Sequence, residues 1–131
     1  AGHLYVYVSY GMHHCCNVVC GPEGFGSGCL IRAIEPLEGT VAMRELREAG
    51  HARKHPLKLR DLTNGPGKVC AALGIDKELY GHDLTVEPLV LDFAPLLPGE
   101  TIGCSPRVGI SKNIDAPKRF FIEGNAFVSR A

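Results

Sequence analysis

Aromatic, thiol and cationic side chains are crowded into a few short stretches of this chain, and each stretch points to a different chemistry. Tyr5 to Asn17 reads YVYVSYGMHHCCN, which sets three tyrosines beside two histidines and two cysteines. His13, His14, Cys15 and Cys20 are ligands of the kind zinc takes. A structural zinc site, however, wants pairs such as C-x2-C with a matching second pair, and this spacing supplies none. On a strand Cys15 and Cys16 point to opposite faces and cannot chelate one ion together. Arg32 is a second candidate, since a charge inside the apolar run CLIRAIEP must reach solvent, a partner or a ligand. A salt bridge to Glu35 and a role in a site are both open there. The third is GPGK, residues 65 to 68, which leads straight into KVCAALG. Free backbone N–H groups and Lys68 at a helix N-terminus are the physics of an anion or phosphate clamp, and also of an ordinary loop-to-helix entry.

The elements that must position these residues follow from local pattern. HLYVYVSY, residues 3 to 10, is rich in β-branched and aromatic residues and predicts a strand. Tyr5, Tyr7 and Ser9 share one face of it, and Leu4, Val6, Val8 and Tyr10 the other. Gly11 marks a turn and CCNVVC a returning strand, so a hairpin with Tyr10, Gly11 and Met12 near its tip is expected. GPEGFGSG, residues 21 to 28, reads as a loop, and CLIRAIEP as a buried strand. PLEGTVAMRELREAG predicts a helix with Val41, Leu46 and Ala49 on an apolar stripe and Gly50 as its stop. HARKHPLKLRDL is a basic segment carrying Arg53, Lys54, Lys58 and Arg60, which ordinarily means a solvated face and less often a phosphate-facing one. DLTVEPLVLDF, RVGIS and KRFFIEGNAFVS read as further strands of a mostly antiparallel sheet. The expected class is α+β: one domain over residues 1–131, with a curved, mostly antiparallel sheet, flanking helices and a protruding β-hairpin.

Composition bounds the rest. The 131 residues suffice for one domain with its own core, and 45% hydrophobic against 21% charged is an ordinary globular balance. The 16 glycines and nine prolines predict many turns and short elements. No apolar run approaches membrane-spanning length. Lys+Arg 14 against Asp+Glu 14 gives zero formal charge, which by itself argues against a nucleic-acid partner, because such domains are usually basic. The six cysteines lack regular spacing and read as reduced, mostly buried thiols.

Taken in order, GHLYVYVSYGMHHCCN, LIRAIEPLEG, MRELR, LTNGPGKVCAALGI, PRVGIS and RFFIEGNAFVSR resemble the 3-methyladenine (alkyladenine) DNA glycosylases, and they cover nearly the whole chain. The resemblance implies an enzyme of base excision repair that flips alkylated or deaminated purines out of duplex DNA and hydrolyses the N-glycosidic bond. A base inside the stack cannot be attacked, so it must be extruded into a pocket and the gap filled. By the resemblance, Tyr10 is the wedge entering the duplex, with Met12 beside it. Tyr7 is the pocket ring that stacks on the base, with Tyr5 and Asn17 in the same pocket, Asn17 acting as a gate against the amino group of normal guanine. Arg32 and the backbone carbonyl of Val108 hold the attacking water. Lys68, Gly67 and Arg107 contact DNA phosphates. His13 and His14 become wall residues. No metal and no cofactor is needed, and the implied partner is double-stranded DNA with damaged purines. No membrane is involved, and the full-length form is expected to be a monomer in the cytoplasm, at the nucleoid of a bacterium or in a eukaryotic nucleus.

One part of the family pattern lies outside these residues. The family's general base is a glutamate in an E-x-E-A-Y-type segment N-terminal to the GHLYVY motif, whereas this chain opens at Ala1-Gly2-His3. The resemblance therefore implies a C-terminal portion of the family domain, extending upstream by roughly sixty residues or more. Hydrolysis through an oxocarbenium-like state wants a carboxylate near the anomeric carbon, and Arg32 does not deprotonate. Glu35 and Glu38 are the only carboxylates in the Arg32 motif, and both fall in its turn. The 131 residues alone are thus expected to bind DNA weakly and excise poorly. They are also expected to leave apolar surface uncovered. Two rivals remain: a non-catalytic DNA-binding module, and a zinc-stabilised interaction domain.

Overall fold

The structure, a computed structural model, describes residues 1–49 and 53–129. The opening pattern folds as its alternation requires. Strand β1 (Leu4–Ser9) and strand β2 (His13–Cys20) form an antiparallel hairpin in which Leu4 faces Val18, Tyr5 faces Asn17, Val6 faces Cys16 and Tyr7 faces Cys15. Its turn places Tyr10 (φ 52°) and Gly11 (φ 69°) in the left-handed region, and the Met12 N–H donates to the Ser9 carbonyl. Positive φ at both central residues is what a mirror-image turn matching the strand twist needs. Strand β3 (Ser27–Leu30) adds to β2, with Asn17 opposite Leu30 and Val19 opposite Gly28. The pairing Cys20↔Ser27 moves the strand two residues into the expected loop.

Leu4, Val6 and Cys16, on one face of the hairpin, join Cys70, Ile75 and Leu84 in the core, with Val18, Ile31, Leu79 and Leu89 packed against it. Cys70 comes from helix α2 (Pro66–Leu73), which buries Val69, Cys70 and Ala72. Pro66 opens the helix where a missing N–H costs nothing, and Gly74 (φ 68°) closes it in the left-handed region. Just after β3 the chain is tied to both neighbours: the Ile31 N–H donates to the Cys16 carbonyl at 3.0 Å and the Ile34 N–H to the Thr63 carbonyl at 3.2 Å. Thr63, fully buried, returns its hydroxyl to the Ile34 carbonyl at 2.6 Å.

Helix α1 (Thr40–Glu48) departs from expectation, for it buries no residue, and Val41 and Leu46 are exposed. It docks through polar groups instead. Arg47 donates to the carbonyls of Asp61 (2.7 Å) and Leu62 (2.8 Å), Arg44 to that of Leu57, and Glu48 accepts from the Leu57 N–H. Burial, followed by the nearby Arg53, lowers the Arg47 pKa, with Asp61 opposing. The expected stop at Gly50 lies outside the described residues, as do residues 51, 52, 130 and 131.

The class is α+β, with a three-stranded antiparallel sheet and a separate two-stranded one rather than a single sheet. The second sheet pairs β4 (Ile102–Ser105) with β5 (Arg119–Ile122). The sequence expectation placed a strand in KRFFIEGNAFVS, where β5 lies, but missed β4. Two other expectations fail. CLIRAIEP is strand only to Leu30, and its strand residues are largely exposed. DLTVEPLVLDF and RVGIS form turns and bends, apart from a bridge between His3 and Asp83. Pro88 interrupts the first of these regions, and a proline contributes no donor to a ladder. Among the described residues, no helix is long and apolar enough to cross a membrane.

Candidate functional site

Antiparallel register gathers the aromatic half of the opening stretch. Tyr5 and Tyr7, two apart on β1, share the face opposite the core. Their rings stack at a centroid distance of 5.8 Å with 28° between planes. Tyr5 stands directly across from Asn17. These three side chains line an open cavity of about 480 Å³, completed by Val19, Gly26, Ser27 and Gly28. The volume is within the ordinary range of ligand clefts. Gly28 permits the close approach of β3: a Cβ there would sit 3.3 Å from the Asn17 Cβ. Ser27 is pinned by its hydroxyl donating to the Cys20 carbonyl at 2.6 Å. Burial, followed by the cross-strand Cys15, pushes the Tyr7 phenol pKa up, so the ring meets any ligand uncharged.

Sequence reasoning missed Val19, the glycine-serine run and Tyr80. The two-residue period from Asn17 would have found Val19. Gly26 to Gly28 were read as loop, and only the pairing of β3 with β2 brings them to the cavity. Tyr80 packs edge-on against Tyr5, at 5.5 Å and 65°. Nothing in KELYG announces this, because the contact is created by tertiary structure.

At the tip of the hairpin Tyr10 is 90% exposed and Met12 71%. A tyrosine ring ordinarily packs over its body, so one held out on a tight turn is free to insert into something else. His13 begins β2 beside the first turn of α2; a Cβ on Gly67 would lie 3.2 Å from the His13 Cβ. Gly67 thus lets the helix N-terminus approach the hairpin. Lys68, in the same turn, donates to Asn64 Oδ1 at 2.7 Å, and Asn64 donates to Asp61 Oδ1 at 3.3 Å.

Arg32 sits between the two anchors at Ile31 and Ile34, half-buried, with its Nε buried and, among the described residues, without a hydrogen-bond partner. Among the described residues no ion pair joins it to Glu35. Glu35 instead accepts from Asn125 Nδ2 at 3.0 Å, and Glu38 is exposed. Arg32 is not among the residues lining the aromatic cavity, and no hydrogen bond links it to Val108, which lies half-buried in a bend. Arg107 resembles Arg32 in having a buried, unpartnered Nε, and it donates to the Lys112 carbonyl at 3.4 Å. Tyr5, Tyr7 and Asn17 are therefore brought together, while Tyr10, Lys68, Arg32 and Arg107 stand at separate places.

The thiols divide evenly: Cys15, Cys16 and Cys70 are buried, and Cys20, Cys29 and Cys104 exposed, which corrects the expectation that most are buried. Cys70 hydrogen-bonds to Cys16, and that bond followed by burial holds its pKa far above the usual thiol range. Burial likewise raises Cys15, against the hydrogen bond from Tyr7. Among the described residues no group of three or more His, Cys, Asp or Glu is placed to hold a metal ion.

Residues 1–126 match the profile of the methylpurine-DNA glycosylase (MPG) family. Three similar proteins carry the provisional name 3-methyladenine DNA glycosylase. One from Agrobacterium fabrum is 47% identical over 99% of this chain and 61% of its own length. One from Nitrosospira multiformis is 45% identical over 98% and 62%. One from Chlorobaculum parvum is 44% identical over 98% and 58%. The chain thus spans roughly three fifths of the length of the curated relatives it matches.

Proposed function

The chain belongs to the methylpurine-DNA glycosylase family, and from that premise we propose that it acts in base excision repair, flipping alkylated or deaminated purines from duplex DNA for hydrolysis of the N-glycosidic bond. The observation that carries this reading is the hairpin itself. One end presents a stacked aromatic cavity with Asn17 across from Tyr5, and the other presents a bare tyrosine. Tyr7 and Tyr10 are three residues apart, about 10 Å of strand. That separation suits a rod that wedges into the duplex at its tip and receives the displaced base along its side.

In this reading Tyr10, flanked by Met12, fills the gap in the stack. Tyr7 and Tyr5 stack on the extruded purine, and the face of a neutral phenol ring favours a base made cationic by alkylation. Asn17 stands where a purine edge would lie and rejects an exocyclic amino group. Lys68 and the N–H groups around Gly67 take a backbone phosphate, and Arg107 takes another. Arg32, with an N–H lacking an acceptor among the described residues, holds water together with the Val108 carbonyl. The partner is damaged double-stranded DNA, met by a monomer at the nucleoid in bacteria such as the relatives above.

A second reading is favoured by one observation: among the described residues, no aspartate or glutamate lines the aromatic cavity. A glycosylase needs a carboxylate to activate water and to stabilise the oxocarbenium-like sugar. These residues would then recognise the lesion without hydrolysing it. Single-turnover excision of hypoxanthine and of 3-methyladenine by this chain, beside Tyr10→Ala, separates the two. Excision that falls at least about tenfold in Tyr10→Ala supports the hydrolase within these residues. Preferential binding of lesion duplex without excision supports recognition alone. Equal binding of damaged and undamaged duplex overturns both.

A further inference from the structure

We infer that Tyr80 is a positioning residue of the aromatic cavity, holding the Tyr5 ring in the orientation that lets Tyr5 and Tyr7 act as one stacking surface. The inference rests on the base-pocket reading above and adds to it a residue from outside the hairpin. Three observations support it.

The first is ring geometry. Tyr80 meets Tyr5 edge-to-face at 5.5 Å and 65°, and Tyr5 stacks on Tyr7 at 5.8 Å and 28°. The three rings therefore form a continuous chain in which Tyr5 is touched on both sides. Edge-to-face pairs are attractive because the positive ring edge meets the negative ring face, and the attraction fixes orientation as well as distance.

The second is that the backbone leaves Tyr80 little choice of position. Asp76 caps a short 3₁₀ turn at Lys77–Leu79 by accepting from the Glu78 N–H at 2.9 Å. The Tyr80 N–H then donates to the Lys77 carbonyl. The next two residues are laced to β1 at Leu4, the residue preceding Tyr5. The Gly81 N–H donates to the Leu4 carbonyl at 2.7 Å, and the Leu4 N–H donates to the His82 carbonyl at 2.9 Å. Gly81 has φ 80°, a conformation that a side chain there would strain. Tyr80 is thereby delivered alongside Tyr5 by hydrogen bonds on both sides of it.

The third is exposure. Tyr80 is 60% exposed and Tyr5 44%, so neither ring is fixed by the core. An exposed ring without a neighbour samples several rotamers, and each ring that must be ordered when a ligand stacks on it weakens that ligand's binding. Tyr80 does this ordering in advance.

The test uses the whole chain and a duplex bearing one 1,N6-ethenoadenine, an intrinsically fluorescent purine, against the same duplex undamaged. Tyr80→Ala is expected to lower the ratio of lesion to undamaged binding by about two- to tenfold, the size of an edge-to-face contact. Binding of undamaged duplex and the thermal midpoint should stay near those of the parent, because the residue is exposed. Tyr80→Phe keeps the ring edge and is expected to restore the ratio. An unchanged ratio in Tyr80→Ala, with the ratio lost in Tyr7→Ala, overturns the positioning role and leaves the pocket reading standing. A ratio of one in the parent protein overturns the pocket reading, and the role of Tyr80 with it.

Discussion

Tyr5, Tyr7 and Asn17 meet because alternation along a strand and hairpin register are short-range rules. Arg32 shows where such rules stop. Its presence in an apolar run marked it correctly as unusual, but whether it would pair with Glu35 depended on where Asn125 falls, ninety residues later in the chain. Two residues beyond Arg32, Ile34 is anchored by Thr63, a residue that no motif singled out as chemistry. Thr63 is inaccessible to water and both gives and receives a hydrogen bond with Ile34. Thr63→Val keeps the shape and removes the hydroxyl, leaving the Ile34 carbonyl without its side-chain donor. The expected cost is about 1–2 kcal/mol in denaturant unfolding. Lesion excision or binding should weaken too if the Arg32 segment is displaced.

At the scale of elements, the β1–β2 hairpin and a helix in KVCAALG were readable, whereas the last third was not, apart from a strand in KRFFIEGNAFVS. Leu84 and Leu89 look like strand residues, and they do serve the core, but through a turn-rich segment. Leu84 is tied to Gly2 and Leu91 to Leu84 by single backbone bonds. Apolar content reports burial, and it does not tell a strand from a loop that drapes a core. Asp83 holds the start of this segment, accepting from the Thr85 N–H at 2.9 Å and the Thr85 hydroxyl at 2.7 Å. These hydrogen bonds lower its pKa, with smaller help from His3 and His82. A carboxylate depressed in the folded state stabilises fully above its unfolded pKa, about 4, and loses that contribution as pH falls through the folded value. Stability of the parent chain is therefore expected to decline below about pH 4, and Asp83→Asn should show a shallower decline. Urea midpoints measured across that range check it. A decline of equal steepness in Asp83→Asn would remove Asp83 from the cause.

For the whole molecule, one global quantity follows the expectation drawn from the motifs and one is at odds with them. The first is apolar exposure, expected to be left uncovered: Phe93 is 94% exposed, Leu37 85% and Phe120 68%. The second is the zero formal charge, which argued against nucleic acid. Net charge is the wrong measure when the cations are segregated. Arg53, Lys54, Lys58 and Arg60 are all exposed within the eight residues 53–60, shortly before α2 and Lys68 in the chain, and attraction to a phosphate depends on local field. If this face binds duplex DNA as proposed, affinity must fall with salt, each neutralised phosphate adding about 0.9 to the magnitude of the log–log slope. Lys68→Ala should then reduce that magnitude by about one and weaken damaged and undamaged duplex alike, because a phosphate contact carries no base information. Tyr7→Ala should do the reverse, losing lesion preference at an unchanged slope. Fluorescence anisotropy across a salt series with both variants reads the two effects separately. A slope near zero in the parent chain would mean that the basic face is merely solvated, and that whatever binding remains comes from the aromatic cavity alone.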